Sequence, residues 1–272
     1  MPVVRLEYRN VTMRFADAKG DVPLTAVRGV SFVVRDAEVV SLIGPTGCGK
    51  STLLNIGSGL VAPSEGAAFV DGEWVAGPNA QVAFMLQKDL LLPWRTVAEN
   101  VMFGVEIQGV PVKERKRRAE NLLGNFKLAE FSDHYPHQLS GGMRQRVALA
   151  RTLAVDPHVL LLDEPFSAVD AQTRMVLQHD LAQTLKQANK TALLITHDLA
   201  EAVTLSNRVL VMSRRPGTII DEIAIDLPQR DNPIARRRDA RFGDYVAQLM
   251  DRLDIAHVAL EGALEREAEL AK

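Results

Sequence analysis

A chain of 272 residues with 47% apolar and 24% charged residues has the composition of a globular protein, with material for one large domain and an appendage. Its formal charge of -2 argues against a protein whose main role is to coat nucleic acid, which needs a strong basic excess, so no nucleic-acid partner is expected. No apolar run reaches the roughly 18 residues of a membrane-spanning helix, MPVVRLEYRN lacks the apolar core of a secretory signal, and the single cysteine, Cys48, fits a reducing compartment, so the chain is expected to be soluble and cytoplasmic.

In chain order, RLEYRNV and GVSFVVR come first and alternate apolar with polar residues, as half-exposed strands do. VVSLIG is a short apolar run that reads as a buried parallel strand. It leads directly into GPTGCGKST, Gly44 to Thr52, and the helical STLLNI. This stretch of Gly44, Pro45, Thr46, Gly47, Cys48, Gly49, Lys50, Ser51 and Thr52 fits the phosphate-loop pattern, whose glycines let backbone amides turn inward around a triphosphate at a helix N-terminus. Lys50 is suited to neutralising the β- and γ-phosphates, and Ser51 to ligating Mg²⁺. Gly57 lies in the following helix, where a glycine costs about 1 kcal/mol relative to alanine. Close packing against a neighbour is its expected reason.

From about residue 90 to 155 the strand signal gives way to helical patterns, which predicts a helical insertion. It opens on LLLPWRTVAENVMFG, where Leu90, Leu91, Leu92, Pro93 and Trp94 crowd a turn. Two readings stand for it: packing inside the insertion, or an apolar cleft on which a partner helix docks. In VPVKERKRRAENLLGNF the basic run is read as the solvated face of its helix. LSGGMRQR follows, and there Ser140 with the amides of Gly141 and Gly142 opens the helix MRQRVALARTLA, a second anion-binding helix start.

HVLLLDEP ends a buried strand in two carboxylates, at the edge where an α/β sheet presents its ligands. Asp163 is suited to holding Mg²⁺ and Glu164 to acting as general base toward an attacking water. TALLIT is a further buried strand, ending beside His197. The other histidines have no metal-ligand spacing. Beyond Pro228 the helical spacing carries no motif and predicts a C-terminal helical tail over 228–272.

With these motifs in place, LSGGMRQR resembles the signature of ATP-binding cassette (ABC) ATPases, and further markers follow that family's order. Phe15 in NVTMRF resembles the aromatic that stacks on adenine, Gln87 in FMLQKD the Q-loop glutamine, SAVD up to Asp170 the D-loop, and His197 in LLITHD the switch histidine. Val169 departs from the usual leucine of the D-loop but keeps its apolar character.

The resemblance implies an α/β P-loop NTPase core over 1–227, with a β-rich N-terminal subdomain and the inserted helical subdomain. It implies ATP and Mg²⁺ as cofactors, with Glu164, His197 and Gln87 in catalysis and Ser51, Gln87 and Asp163 toward the metal. Phe15, the phosphate loop, Ser140, Gly141, Gly142 and Asp170 are then the nucleotide contacts. It further implies a head-to-tail dimer in which each ATP lies between one copy's phosphate loop and the other copy's signature. EPFSAVDAQTR and RRPGTIIDEIAIDLP, with the LLLPW segment, resemble the ATPase subunits of bacterial nitrate, sulfonate, taurine and pyrimidine-precursor importers. By that resemblance two copies sit beneath transmembrane permease subunits, peripherally on the cytoplasmic face of the inner membrane, and an extracytoplasmic solute-binding protein delivers the solute. The alternative is a soluble ABC-type ATPase of iron-sulfur assembly or DNA repair.

Overall fold

The computed structural model describes residues 3–16, 23–167 and 169–253. Two sheets organise it. A four-stranded antiparallel sheet runs in the order β2-β1-β4-β5 and is built from β1 (Val4–Phe15), β2 (Leu24–Arg35), β4 (Glu65–Val70) and β5 (Glu73–Trp74). β1 and β2 are the two alternating runs of the sequence, each extended by several residues, and they pair with Tyr8 opposite Phe32 and Val11 opposite Val30. Their inward residues Leu6, Tyr8, Val27, Val30 and Val34 share a core with Leu53 and Leu54.

The second sheet has six strands in the order β10-β9-β3-β8-β7-β6. Its members are β3 (Val39–Ile43), β6 (Val82–Met85), β7 (Val159–Asp163), β8 (Thr191–Ile195), β9 (Arg208–Met212) and β10 (Ile219–Ala224). All neighbours pair in parallel except β10, which runs antiparallel to β9 at the edge. β3, β8 and β9 are buried at every residue, as strands covered on both faces must be. Because β9, β3, β8, β7 and β6 run the same way, their carboxyl ends meet along one edge. The α/β core with its β-rich N-terminal sheet is thus as the sequence predicts.

α1 (Lys50–Gly57) follows β3 and packs under β1. Gly57 is where a side chain would fail: a Cβ there would lie 2.2 Å from the Tyr8 hydroxyl, which donates to the Leu53 carbonyl at 2.8 Å. Close packing is therefore the reason for this helical glycine.

The helical insertion holds α2 (Val97–Ile107), α3 (Val112–Asn125) and α4 (Gly141–Ala154). Thr96 and Glu99 cap α2 reciprocally, satisfying two amides that the helix leaves unpaired. Val101, Val105, Ala119, Leu123 and Val147 close its core. On α3 only Ala119 and Leu123 are buried, and Glu114 pairs with Arg117 and Arg118, so the basic run is a solvated face.

After α5 (Ala171–Gln187) and α6 (Leu199–Leu205) come β9, β10, the short α7 (Pro233–Arg236) and a last helix over 242–253. Of the predicted tail, 254–272 lies outside the described residues. The described part packs on the sheet: Leu227 and Leu249 join Ile43, Val203 and Val211. Arg236 is buried and donates to the carbonyls of Thr204, Ser206 and Ile225, which neutralises the carboxyl end of α6. Among the described residues no helix is long and apolar enough to cross a membrane.

Candidate functional site

The shared edge of the parallel sheet opens into a cleft of about 710 Å³. The β3 end leads into the phosphate loop. Gly49 takes φ +103°, and a Cβ there would lie 2.4 Å from a Val27 methyl, so glycine is required both by backbone and by space. Gly49 provides no side-chain cap for α1, which leaves first-turn amides for an acceptor from outside the helix. Lys50 Nζ donates to the carbonyls of Gly44 (2.8 Å) and Pro45 (3.0 Å), so the loop curls around its own lysine. Cys48 is buried, and burial pushes its thiol pKa up, which keeps it unreactive.

The β7 end supplies the carboxylates. Asp163 lies beside Ser51, and its pKa is raised, first by burial and further by the adjacent Glu164 charge. A carboxylate short of solvent beside a hydroxyl is a favourable place for a hard divalent cation. Among the described residues no three His, Cys, Asp or Glu side chains gather as a metal cluster. A cation held by Ser51 and Asp163 would therefore draw its remaining oxygens from a ligand or from water.

Glu164 has φ +46°, a conformation that costs a residue of its size roughly 1–3 kcal/mol. Its backbone is held from two sides: its N–H donates to the Ile195 carbonyl, and its own carbonyl accepts from the Ser167 amide and hydroxyl. The effect is to aim the side chain into the cleft. There the carboxylate accepts from Gln87 Nε2 at 3.2 Å, and His197 Nδ1 lies 3.2 Å away. Gln87 arrives from the β6 end and His197 from the β8 end, so three strands converge on one carboxylate.

Phe15, half-exposed at the end of β1, walls the cleft with Leu24 and Ala26 of β2. Arg215, beyond the β9 end, completes the lining and donates Nε to the Gly47 carbonyl at 3.2 Å. Sequence reasoning missed Leu24, Ala26 and Arg215 as site residues. RRPG was conspicuous in the sequence, yet its contact with Gly47 spans 168 positions.

The structure thus brings together Phe15, Thr46, Gly47, Gly49, Lys50, Ser51, Thr52, Gln87, Glu164 and His197, with Asp163 behind Ser51. Gly44, Pro45 and Cys48 shape the loop from beneath. Ser140, Gly141, Gly142 and Asp170 do not line the cleft. Ser140 caps α4 by accepting from the Met143 amide at 3.3 Å. Gly142 lets α5 approach, since a Cβ there would lie 2.4 Å from the Thr173 methyl. Asp170 caps α5 through the amides of Gln172 and Thr173, and its bonds to Thr173 hold its carboxyl below the usual range.

The LLLPW turn divides. Leu91 is buried in the insertion, whereas Leu90 is 53% and Trp94 71% exposed. The turn is fixed from below: Asn100 bonds the backbone of Leu92, Arg95 and Thr96, and Arg151 bonds the carbonyls of Asp89 and Leu90. Trp94 is an exposed ring on an anchored loop.

Comparison with known proteins agrees with this geometry. The family profile described as "ABC transporter" matches residues 27–167. The chain is 46% identical over 249 residues to an uncharacterized ABC transporter ATP-binding protein of Methanocaldococcus jannaschii, covering 91% of each chain. It is 42% identical over 255 residues to a taurine import ATP-binding protein of Burkholderia pseudomallei, covering 92% of this chain and 97% of that one. Among solved structures it resembles the dimeric ATP-binding cassette MJ0796 in a post-hydrolysis state bound to ADP and Pi. That match has a TM-score of 0.72 at 30% identity and covers 81% of this chain and 98% of the other.

Proposed function

This chain belongs to the ABC transporter family of ATP-binding proteins, and from that premise we propose how its residues divide the work of an importer's ATPase subunit. It binds and hydrolyses ATP. The adenine stacks on Phe15, and the phosphate-loop amides and Lys50 hold the β- and γ-phosphates. Ser51, Asp163 and Gln87 would hold Mg²⁺, which would supply charge to offset that of the phosphates. Glu164 accepts a proton from water as the water oxygen attacks the γ-phosphorus, and the bond to the bridging oxygen breaks to leave ADP and phosphate. His197 hydrogen-bonds the γ-phosphate and keeps Glu164 and the water in line.

Ser140, Gly141, Gly142 and Asp170 serve the ATP held by a second copy. The reading is a head-to-tail dimer of the 1–227 ATPase units, each followed by the C-terminal helical tail 228–272. The dimer sits peripherally beneath transmembrane permease subunits on the cytoplasmic face of the inner membrane, with Trp94 and Leu90 as apolar anchors for the permease. The taurine import relatives favour this importer reading over a soluble cassette. They also favour a taurine- or sulfonate-like solute, handed over by an extracytoplasmic binding protein.

The observation that carries the reading is the convergence of Gln87 and His197 on Glu164 beside the phosphate loop. Glu164→Gln keeps ATP binding and slows hydrolysis by about 10²–10⁴, the usual worth of a positioned base, so that ATP accumulates as a trapped dimer in size-exclusion chromatography. Hydrolysis at the normal rate would remove Glu164 from the role of base.

A further inference from the structure

We infer that Arg215 is a nucleotide ligand of this chain, and that its guanidinium takes the α-phosphate of the bound nucleoside triphosphate. The inference rests on the reading of the cleft as an ATP site.

The turn that carries Arg215 is built against both walls of the cleft. On one side it joins the second strand of the N-terminal sheet: the Gly217 amide donates to the Ala26 carbonyl at 2.9 Å, and the Arg28 amide to the Gly217 carbonyl at 3.0 Å. On the other side it lies on the phosphate loop, so close that a Cβ at Gly217 would sit 2.0 Å from the Cys48 carbonyl oxygen. Ser213 closes the turn with bonds to Arg214, Pro216 and Thr218. The base wall of Phe15, Leu24 and Ala26 and the β/γ-phosphate loop are thus joined at this one place. A nucleotide lying along the cleft passes it at the α-phosphate.

The side chain is in keeping with that position. Nε donates to the Gly47 carbonyl, and an Nη lies 3.2 Å from where a Cβ on Gly47 would stand, so the guanidinium lies against the loop. Its terminal nitrogens have no carboxylate partner among the described residues. The cleft already concentrates positive potential here, from Lys50 and the opening turn of α1. Its carboxylates, Asp163 and Glu164, lie with Gln87 and His197 at the hydrolytic end. An unpaired arginine added to such a field is unfavourable by itself and favourable once an anion is bound. Planar, forked donors suit a phosphate better than a lysine does.

The test measures Mg-ATP and Mg-ADP affinity by calorimetry on the full chain, for wild type, Arg215→Gln, Arg215→Lys and Lys50→Ala, with folding checked by thermal melts. The α-phosphate is common to both nucleotides, so Arg215→Gln should weaken ATP and ADP by the same factor, about tenfold for a charged hydrogen bond in an open cleft. Arg215→Lys should recover part of the loss. The gap between wild type and Arg215→Gln should narrow in 0.5 M KCl, where the Debye length is about half that found at physiological salt. Unchanged affinity overturns the inference. So does a loss confined to ATP, which would place the contact on the γ-phosphate, or a loss that neither lysine nor salt alters, which would make Arg215 only a prop for the loop. If wild type binds ATP, Lys50→Ala does not and Arg215→Gln matches wild type, the ATP reading stands and Arg215 alone is refuted. If wild type binds neither nucleotide, both fall.

Discussion

The chain opens two helices on glycine-rich loops, and the two loops differ in what surrounds them. The loop before α1 is enclosed: it opens α1 on a lysine, strand ends bring two carboxylates, a glutamine and a histidine, and the end of β1 brings an aromatic wall. The loop before α4 is open. Ser140 and Gly141 are exposed, and the helix is mostly buried only beyond Arg146, where it joins the insertion's core. Both loops present helix amides to an anion. Only the first has chemistry beside it. A single chain therefore gathers the groups around the first loop into one cleft and leaves the second loop exposed; under the proposed reading, that exposed loop serves a second copy.

Substitutions can separate the two halves, and the largest local effect is expected at the open one. In most helices Gly→Ala stabilises by about 1 kcal/mol. At Gly142 the sign should reverse, because the new methyl meets the Thr173 methyl at 2.4 Å; a loss of about 1–3 kcal/mol is expected from such overpacking. Thr173→Ser removes that methyl and should restore most of the loss in a double-mutant cycle read by urea unfolding. Full additivity of the two changes would show that the α4–α5 approach does not depend on Gly142.

Trp94 lies in the same insertion as the open loop but belongs to neither half of the ATP site. Trp94→Ala should weaken co-purification with the permease, by about 2 kcal/mol for an apolar anchor at the centre of an interface. ATP binding by the isolated chain should not change. A variant that unfolds instead would assign the ring to packing.

A pH-dependent effect is expected on α6, away from both loops. Glu201 on α6 is buried, its carboxylate accepting from Gln178, and burial raises its pKa from 4.5 to about 7. The fold thus prefers the neutral acid. Its contribution to stability is complete below about pH 4.5 and is lost as pH rises through about 7, at about 1.4 kcal/mol for each pH unit crossed in between. Glu201→Gln should leave the melting temperature near pH 5 little changed and raise it near pH 8 relative to wild type. An equal change at both values would mean that the carboxyl does not titrate in this range.

The enclosed half was largely legible in the sequence, for a physical reason. A parallel strand buried on both faces is a run of apolar residues, and its functional group is the next polar residue, so VVSLIG, HVLLLD and TALLIT announce both strand and site. RVLVM carries the same signal and forms β9, but no acid or histidine follows it, and Arg215 three residues on looks like any surface arginine. VAFM, which became β6, is too short to separate from a turn. The placement of Ser140 to Gly142 outside the cleft was beyond periodicity, because it depends on how α4 packs on α5 through Gly142 and Thr173. There, resemblance to the family supplied what spacing did not. Likewise the fork in LLLPW, with Leu91 inward and Trp94 outward, is set by Asn100 and Arg151 bonding the turn, and composition alone leaves both readings open.

Whether two chains share each site is the central claim, and mixing two inactive variants tests it. Lys50→Ala disables the enclosed half, and Ser140→Arg blocks the open half; each homodimer then carries a defect in both of its sites. Ser140 also caps α4, worth about 1 kcal/mol, so folding of that variant is confirmed by melting. In a head-to-tail heterodimer both lesions fall in one site, and the other joins an intact phosphate loop to an intact signature. The measurement is single-turnover ATP hydrolysis by differently tagged heterodimers purified in complex with the permease. The account predicts hydrolysis in one site per heterodimer, well above either homodimer. A rate no higher than that of the homodimers, with heterodimers present and folded, would contradict it.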